Sequence, residues 1–175
     1  QIEIAPQHLY VSEREPWEIY FADKLLRVQL ERIVPTGLVI SNEVDRLCQS
    51  MKSKKAEKTR SFLHRDIRPD NIIYNNGQLF VIDSETCEFG DPLNELARIN
   101  LEWTYWEMYD VLLSGYKSVS NIPVDGELFG LYQLESLAEL LDMHYNHGCM
   151  NALTPGFLNR FNRVKDSVLH HTEMK

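Results

Sequence analysis

The stretch Phe62 to Ala97, FLHRDIRPDNIIYNNGQLFVIDSETCEFGDPLNELA, decides how the rest of this chain is read. Ile72-Ile73-Tyr74 predicts a short strand, and Leu79 to Ile82 predicts its return. Between them Asn75-Asn76-Gly77 supplies the residues that tolerate positive φ in a tight turn. A loop rich in acid, amide and base groups, His64 to Asn71, leads into this hairpin, and Asp83 emerges at its far end. The hairpin therefore carries Asp66 and Asn71 back towards Asp83, and three oxygen-bearing side chains are expected at one mouth.

That arrangement suits phosphoryl transfer, which needs one carboxylate to orient and deprotonate an attacking hydroxyl. It also needs hard oxygen ligands for the magnesium that neutralises a triphosphate. Asp66 is the candidate base, and Asn71 and Asp83 are the candidate ligands of metal and nucleotide. A zinc site would ask for more His or Cys. Each residue also has a plainer use: Asp66 as a turn cap, Asn71 satisfying loop backbone, Asp83 as a strand-end cap.

His64-Arg65-Asp66, with Asn71 five residues after the aspartate, resembles the H-R-D-x-x-x-x-N catalytic loop of the protein-kinase fold. The following Ile82-Asp83-Ser84-Glu85, then Gly90-Asp91-Pro92 and Leu96-Ala97, is similar to the run found in aminoglycoside phosphotransferases and choline-kinase-like small-molecule kinases. That family usually has Gly where this chain has Arg65, and Asp where it has Glu95. The resemblance implies an α+β, mainly α fold: a protein-kinase-like C-terminal lobe whose short β-hairpin carries the catalytic and metal loops. It implies ATP as co-substrate, Mg2+ as cofactor and a small-molecule hydroxyl as acceptor, on an amino sugar, amino alcohol or related metabolite. It further implies that His64 bonds the backbone of the metal loop and that Asp91 buttresses the catalytic loop. Arg68, two residues past the base, either steadies the transferring phosphate as a second catalytic residue or is a solvated surface arginine. Glu85 either assists the metal or binds a backbone group.

The whole chain bounds these expectations. Its 175 residues suffice for one core, so a single domain over 1–175 is expected. A net charge of −8 argues against nucleic acid as a partner, since phosphate backbones demand a cationic surface. No run is long and charge-free enough to cross a bilayer. Cys48, Cys87 and Cys149 are widely spaced and odd in number, which fits reduced thiols and a cytoplasmic protein.

Outside the central stretch the pattern is helical. Trp17, Tyr20, Phe21, Leu25 and Val28 predict one apolar helix face, broken at Pro35-Thr36-Gly37. A second helix is predicted over Ser41 to Ser50, burying Val44, Leu47 and Cys48. Lys52 to Arg60, KSKKAEKTR, reads as a solvated basic connection. Leu93 to Tyr116 predicts one helix with Leu96, Ile99, Trp103, Trp106 and Tyr109 along a broad face, serving as core or as a substrate wall. Glu127 to His144 and Pro155 to about His170 predict two more helices. His144, His147 and Cys149 superficially resemble a metal cluster and read instead as a helix end.

Neither a Gly-rich loop nor a strand lysine to grip the phosphates can be placed before residue 62, and the first residue is Gln. The chain is therefore expected to be a C-terminal lobe whose N-terminal nucleotide-gripping lobe is missing, and which is inactive alone. The leading reading is an ATP-dependent phosphotransferase acting on a small-molecule hydroxyl. An inactive kinase-like lobe serving as a binding or scaffold module is the alternative. A metal-dependent hydrolase built on His64, Asp66, Asp83 and Glu85 is the third.

Overall fold

A computed structural model describes residues 15–55, 61–103, 108–120, 126–148 and 154–173. The chain divides into two compact units, one holding the central stretch up to Pro123, the other joining Pro16–Ala56 to Val124–Lys175. The fold is mainly helical, with two small antiparallel sheets of two strands each among the described residues.

In the first unit, β1 (Ser61–Leu63) pairs antiparallel with β4 (Glu88–Gly90), Ser61 opposite Gly90 and Leu63 opposite Glu88. The second sheet is the predicted hairpin, β2 (Ile72–Asn75) and β3 (Gln78–Val81), in register from Ile72 opposite Val81 to Asn75 opposite Gln78. Asn76 and Gly77 both take positive φ, 49° and 82°, as a two-residue hairpin loop matched to strand twist requires. The predicted helix from Leu93 to Tyr116 is two helices, α4 (Pro92–Trp103) and α5 (Tyr109–Lys117). Met108 stands at the N-cap of the second, with φ −105° and ψ −8°, and Trp106 lies outside the described residues. Ile99 and Tyr109 form a small core with Ile67, Ile72, Leu112 and Leu113 packed against it.

The second unit is helical. Its opening helix runs through α1 (Trp17–Tyr20), a π-helical stretch Phe21–Leu26, and α2 (Arg27–Ile33). The π-stretch lets one residue bulge from the ladder and turns the buried face after Phe21. Leu26, Leu30 and Ile33 are fully buried as a result, whereas the predicted Val28 is exposed and Leu25 only half-buried. A 3-10 turn, Val34–Thr36, and Gly37 at φ 77° end this helix where the sequence indicated. α3 (Ser41–Lys52) buries Val44, Leu47, Cys48 and Met51.

α6 (Gly126–Asn146) and α7 (Thr154–Glu173) complete the unit. Leu131, Leu134, Leu137 and Leu141 of α6 are buried, and on α7 Phe161, Val168 and Leu169 are. Trp17 Nε1 donates to the Tyr132 hydroxyl at 2.9 Å, and Phe21 meets the Tyr132 ring edge-on at 4.7 Å. Of the basic connection only residues 52–55 lie among the described residues, and there Lys52 pairs with Asp23 at 2.7 Å and Lys54 with Glu127 at 2.5 Å. Among the described residues no helix is long and apolar enough to cross a membrane.

Candidate active site

The loop after β1 turns on Arg65, whose φ of 63° places a large residue in the left-handed region. Two groups hold it there. The Glu95 carboxylate, from α4, accepts the backbone N–H of His64 at 2.5 Å and that of Arg65 at 3.0 Å. The Arg65 guanidinium donates to Glu88 of β4 at 2.6 Å, with both side chains nearly buried. Asp91 accepts the Leu93 N–H at 2.8 Å and so caps the helix that delivers Glu95.

Asp66 follows Arg65 and is half-buried. The Asn71 amide donates to the Asp66 carbonyl at 2.9 Å and to the Asp66 carboxylate at 2.7 Å. Asn71 is itself buried at the end of a 3-10 turn, Pro69–Asn71, that feeds directly into β2. Its amide nitrogen is thereby spent on Asp66, leaving the side-chain oxygen as an acceptor. At the other end of the hairpin the Ile82 N–H donates to the Asn71 carbonyl at 2.9 Å, which ties the residue before Asp83 to Asn71. Asp83 is exposed and also sits in the left-handed region, φ 65°. Arg68 Nε lies 3.3 Å from the Asp66 carboxylate while the arginine side chain stays 45% exposed. The structure thus joins Asp66, Arg68 and Asn71 directly, and Asp83 through backbone.

One role expected from the resemblance differs. The His64 ring makes no hydrogen bond with the described residues; it is the His64 carbonyl that accepts from Thr86 Oγ1 at 3.0 Å. The tie between catalytic loop and metal loop is therefore present, carried by main chain rather than imidazole. Glu85 is exposed and bonds no backbone group among the described residues.

Asn71 and Asp83 carry oxygen donors of the kind magnesium takes, an ion that commonly uses one or two protein ligands and completes its shell with phosphate and water. No group of three or more His, Cys, Asp or Glu suited to a metal exists among the described residues. Of the His144, His147 and Cys149 group, Cys149 lies outside the described residues. Burial raises the thiol pKa of Cys87, which lies beside this loop.

Glu95 and the Arg65–Glu88 pair are the positioning groups that sequence reading did not assign. Glu95 was visible only as a departure from the family's usual Asp. Its partners lie about thirty residues away, which no local spacing encodes.

The lobe architecture and this loop geometry define a kinase-like phosphotransferase fold. Solved structures agree. The chain superposes with TM-score 0.60 and 21% identity on a candidate fructosamine-3-kinase from Haemophilus somnus 129PT, covering 88% of this chain and 50% of that one. With TM-score 0.63 and 19% identity it matches a thermostable mutant of aminoglycoside phosphotransferase APH(4)-Ia in ternary complex with AMP-PNP and hygromycin B, covering 87% and 52%. A 74-residue segment is 28% identical to extracellular signal-regulated kinase 1 of Candida albicans, strains WO-1 and SC5314, covering 42% of this chain and 17% of the kinase. Residues 4–113 match the phosphotransferase enzyme family, and the chain belongs to that family. It spans about half the length of the solved relatives.

Proposed function

We propose that this chain carries the base and metal-binding half of an ATP-dependent phosphotransferase whose acceptor is the hydroxyl of a small molecule. The observation that carries the reading is the Asn71 amide bonded to both the carbonyl and the carboxylate of Asp66. That contact fixes the carboxylate for an incoming hydroxyl while directing the other face of the amide away from it. Asp66 orients and deprotonates the hydroxyl. Arg68, half exposed and beside Asp66, has guanidinium donors left for the transferring phosphate. Asn71 and Asp83 would hold Mg2+, which neutralises nucleotide phosphate charge when bound.

The acceptor class follows the family: an amino sugar, an amino alcohol or a related metabolite. A nucleotide-gripping lobe is the proposed partner, supplied by chain beyond this one. Supporting this, the hairpin next to Asn71 exposes Ile73, Tyr74, Leu79, Phe80, Val81 and Ile82, an apolar run that a solvated surface does not favour. Cys48 and Cys87 are free thiols, which suits a cytoplasmic setting.

A phosphate-transfer screen of the full-length protein against pooled hydroxyl metabolites, with Asp66→Ala as control, tests the reading. Loss of a general base costs roughly 10²–10⁴ in turnover, so the variant should fall by that range with an unchanged melting curve. Unchanged turnover in Asp66→Ala removes the role assigned. Calorimetry of this chain alone with Mg-ATP should show weak binding; tight binding would refute dependence on a second lobe.

A further inference from the structure

The helical unit holds a cleft of about 400 Å³ between α6 and α7. That volume lies in the range of small-molecule pockets, roughly 300–1,000 Å³. From α7 it is lined by Arg160, Arg163, Val164, Ser167, Val168 and His171, spacings of three and four that put them on one face of the helix. The N-terminal turns of α6 add Phe129, Gly130 and Gln133. Glycine at 130 lets the two helices close here. A Cβ there would stand 3.1 Å from Val168 Cγ2 and 3.4 Å from Val164 Cγ1.

Cationic and apolar residues share this cleft. Arg160 is half-buried and Arg163 exposed, and the two are neighbours one turn apart on α7. A guanidinium has five N–H donors in a planar fork, so one that holds a protein partner keeps others for an oxyanion. Gln133 brings a side-chain amide to the same cleft, and Phe129, Val164 and Val168 bring apolar surface. Glu127 also borders it, and both of its carboxylate oxygens are engaged. One pairs with Lys54 at 2.5 Å and the other accepts from Ser50 Oγ at 2.5 Å.

We propose that this cleft binds a small phosphate monoester with an apolar body, the phosphate at Arg160 and Arg163 and the body along Phe129, Val164 and Val168. A phosphate monoester carries a charge of about −1.5 to −2 at neutral pH and three acceptor oxygens. Two guanidiniums match that charge better than they match the single charge of a carboxylate. The inference uses no residue of the catalytic loop, so it stands apart from the phosphotransferase reading.

Phenyl phosphate, inorganic phosphate and benzoate are titrated calorimetrically into the full chain. Phenyl phosphate should saturate with a Kd of about 1 mM or tighter. It should bind about tenfold tighter than inorganic phosphate, because its ring leaves water, and about tenfold tighter than benzoate, because its charge is larger. Arg163→Gln should weaken phenyl phosphate by about tenfold, the worth of a charge-assisted hydrogen bond. Lys24→Gln removes the same charge from an exposed position on the opening helix and should change the affinity by less than about twofold. Ser167→Trp fills the cleft from an exposed position on α7 and should abolish binding. All three positions are exposed, so the variants should melt with the wild type. Absence of saturable binding in the wild type overturns the proposal, as does equal weakening by Arg163→Gln and Lys24→Gln, or full affinity in Ser167→Trp. Benzoate binding as tightly as phenyl phosphate also overturns it, by removing the dianion, and equally tight inorganic phosphate does so by removing the apolar body.

Discussion

Arg65 and Asp83 stand in the left-handed region at φ 63° and 65°, one before the hairpin and one after it. Asp tolerates this conformation because its short polar side chain bonds locally, whereas a long side chain such as Arg gains nothing from it. The family that this run resembles usually has Gly at the Arg65 position, where positive φ is free. Here the side chain is retained together with a near-buried ion pair to Glu88. Arg65→Gly and Arg65→Ala both remove that pair, so comparing them isolates the backbone. Arg65→Gly should be the more stable of the two by about 1 kcal/mol, read as a difference in urea midpoint at unchanged slope. Equal midpoints would show that the left-handed turn stores no strain.

Among the elements, the hairpin was readable because its signals are local: Asn-Gly at the turn and apolar strands on both sides. Gly77 carries the demand for positive φ, and a Cβ there meets nothing within 4 Å, so the cost of Gly77→Ala is conformational alone. It should destabilise by about 1 kcal/mol, measured by chemical denaturation. Asp66 and Asn71 were readable for the same reason, since five residues of spacing suffice to let the amide reach the carboxylate. The first helix was read with its face out of phase, because a 3.6-residue period cannot anticipate the π-stretch that moves burial from Leu25 and Val28 to Leu26 and Leu30. The break at Met108 was missed since apolar spacing continues across it.

What no local pattern could show is the grip of α4 on the catalytic loop. Glu95 satisfies two backbone N–H groups at once, and an unmet buried donor costs roughly 1–3 kcal/mol. Glu95→Ala should therefore destabilise by about 3 kcal/mol. It should also speed amide hydrogen exchange at His64 and Arg65 ahead of global unfolding. Exchange there that stays as slow as in the wild type would mean other groups hold the loop.

For the whole molecule, the two units keep their apolar residues inside by different means, and the helical unit does so around α3. Cys48 is fully buried there, with Sγ 3.5 Å from the Ala22 carbonyl. Burial disfavours the thiolate and pushes this thiol up from 9.0 to about 11, against a smaller opposing pull from Arg27. A group whose pKa is higher folded than unfolded favours the fold while it is protonated. Its contribution is thus complete below pH 9 and is lost as pH rises through about 11. Lysines also titrate in that window, so the wild type must be compared with Cys48→Ala rather than with itself. The variant loses a constant amount for the small cavity left behind, on the order of 1 kcal/mol. The wild type's advantage over the variant should then fall between pH 8.5 and about 11, by up to about 2 kcal/mol, and so reverse sign within that range. Urea unfolding at the two ends of that range measures it. A gap independent of pH would mean the thiolate is solvated in the folded chain, through an opening of the helical unit that the packing of Ala22, Leu26 and Leu47 gives no reason to expect.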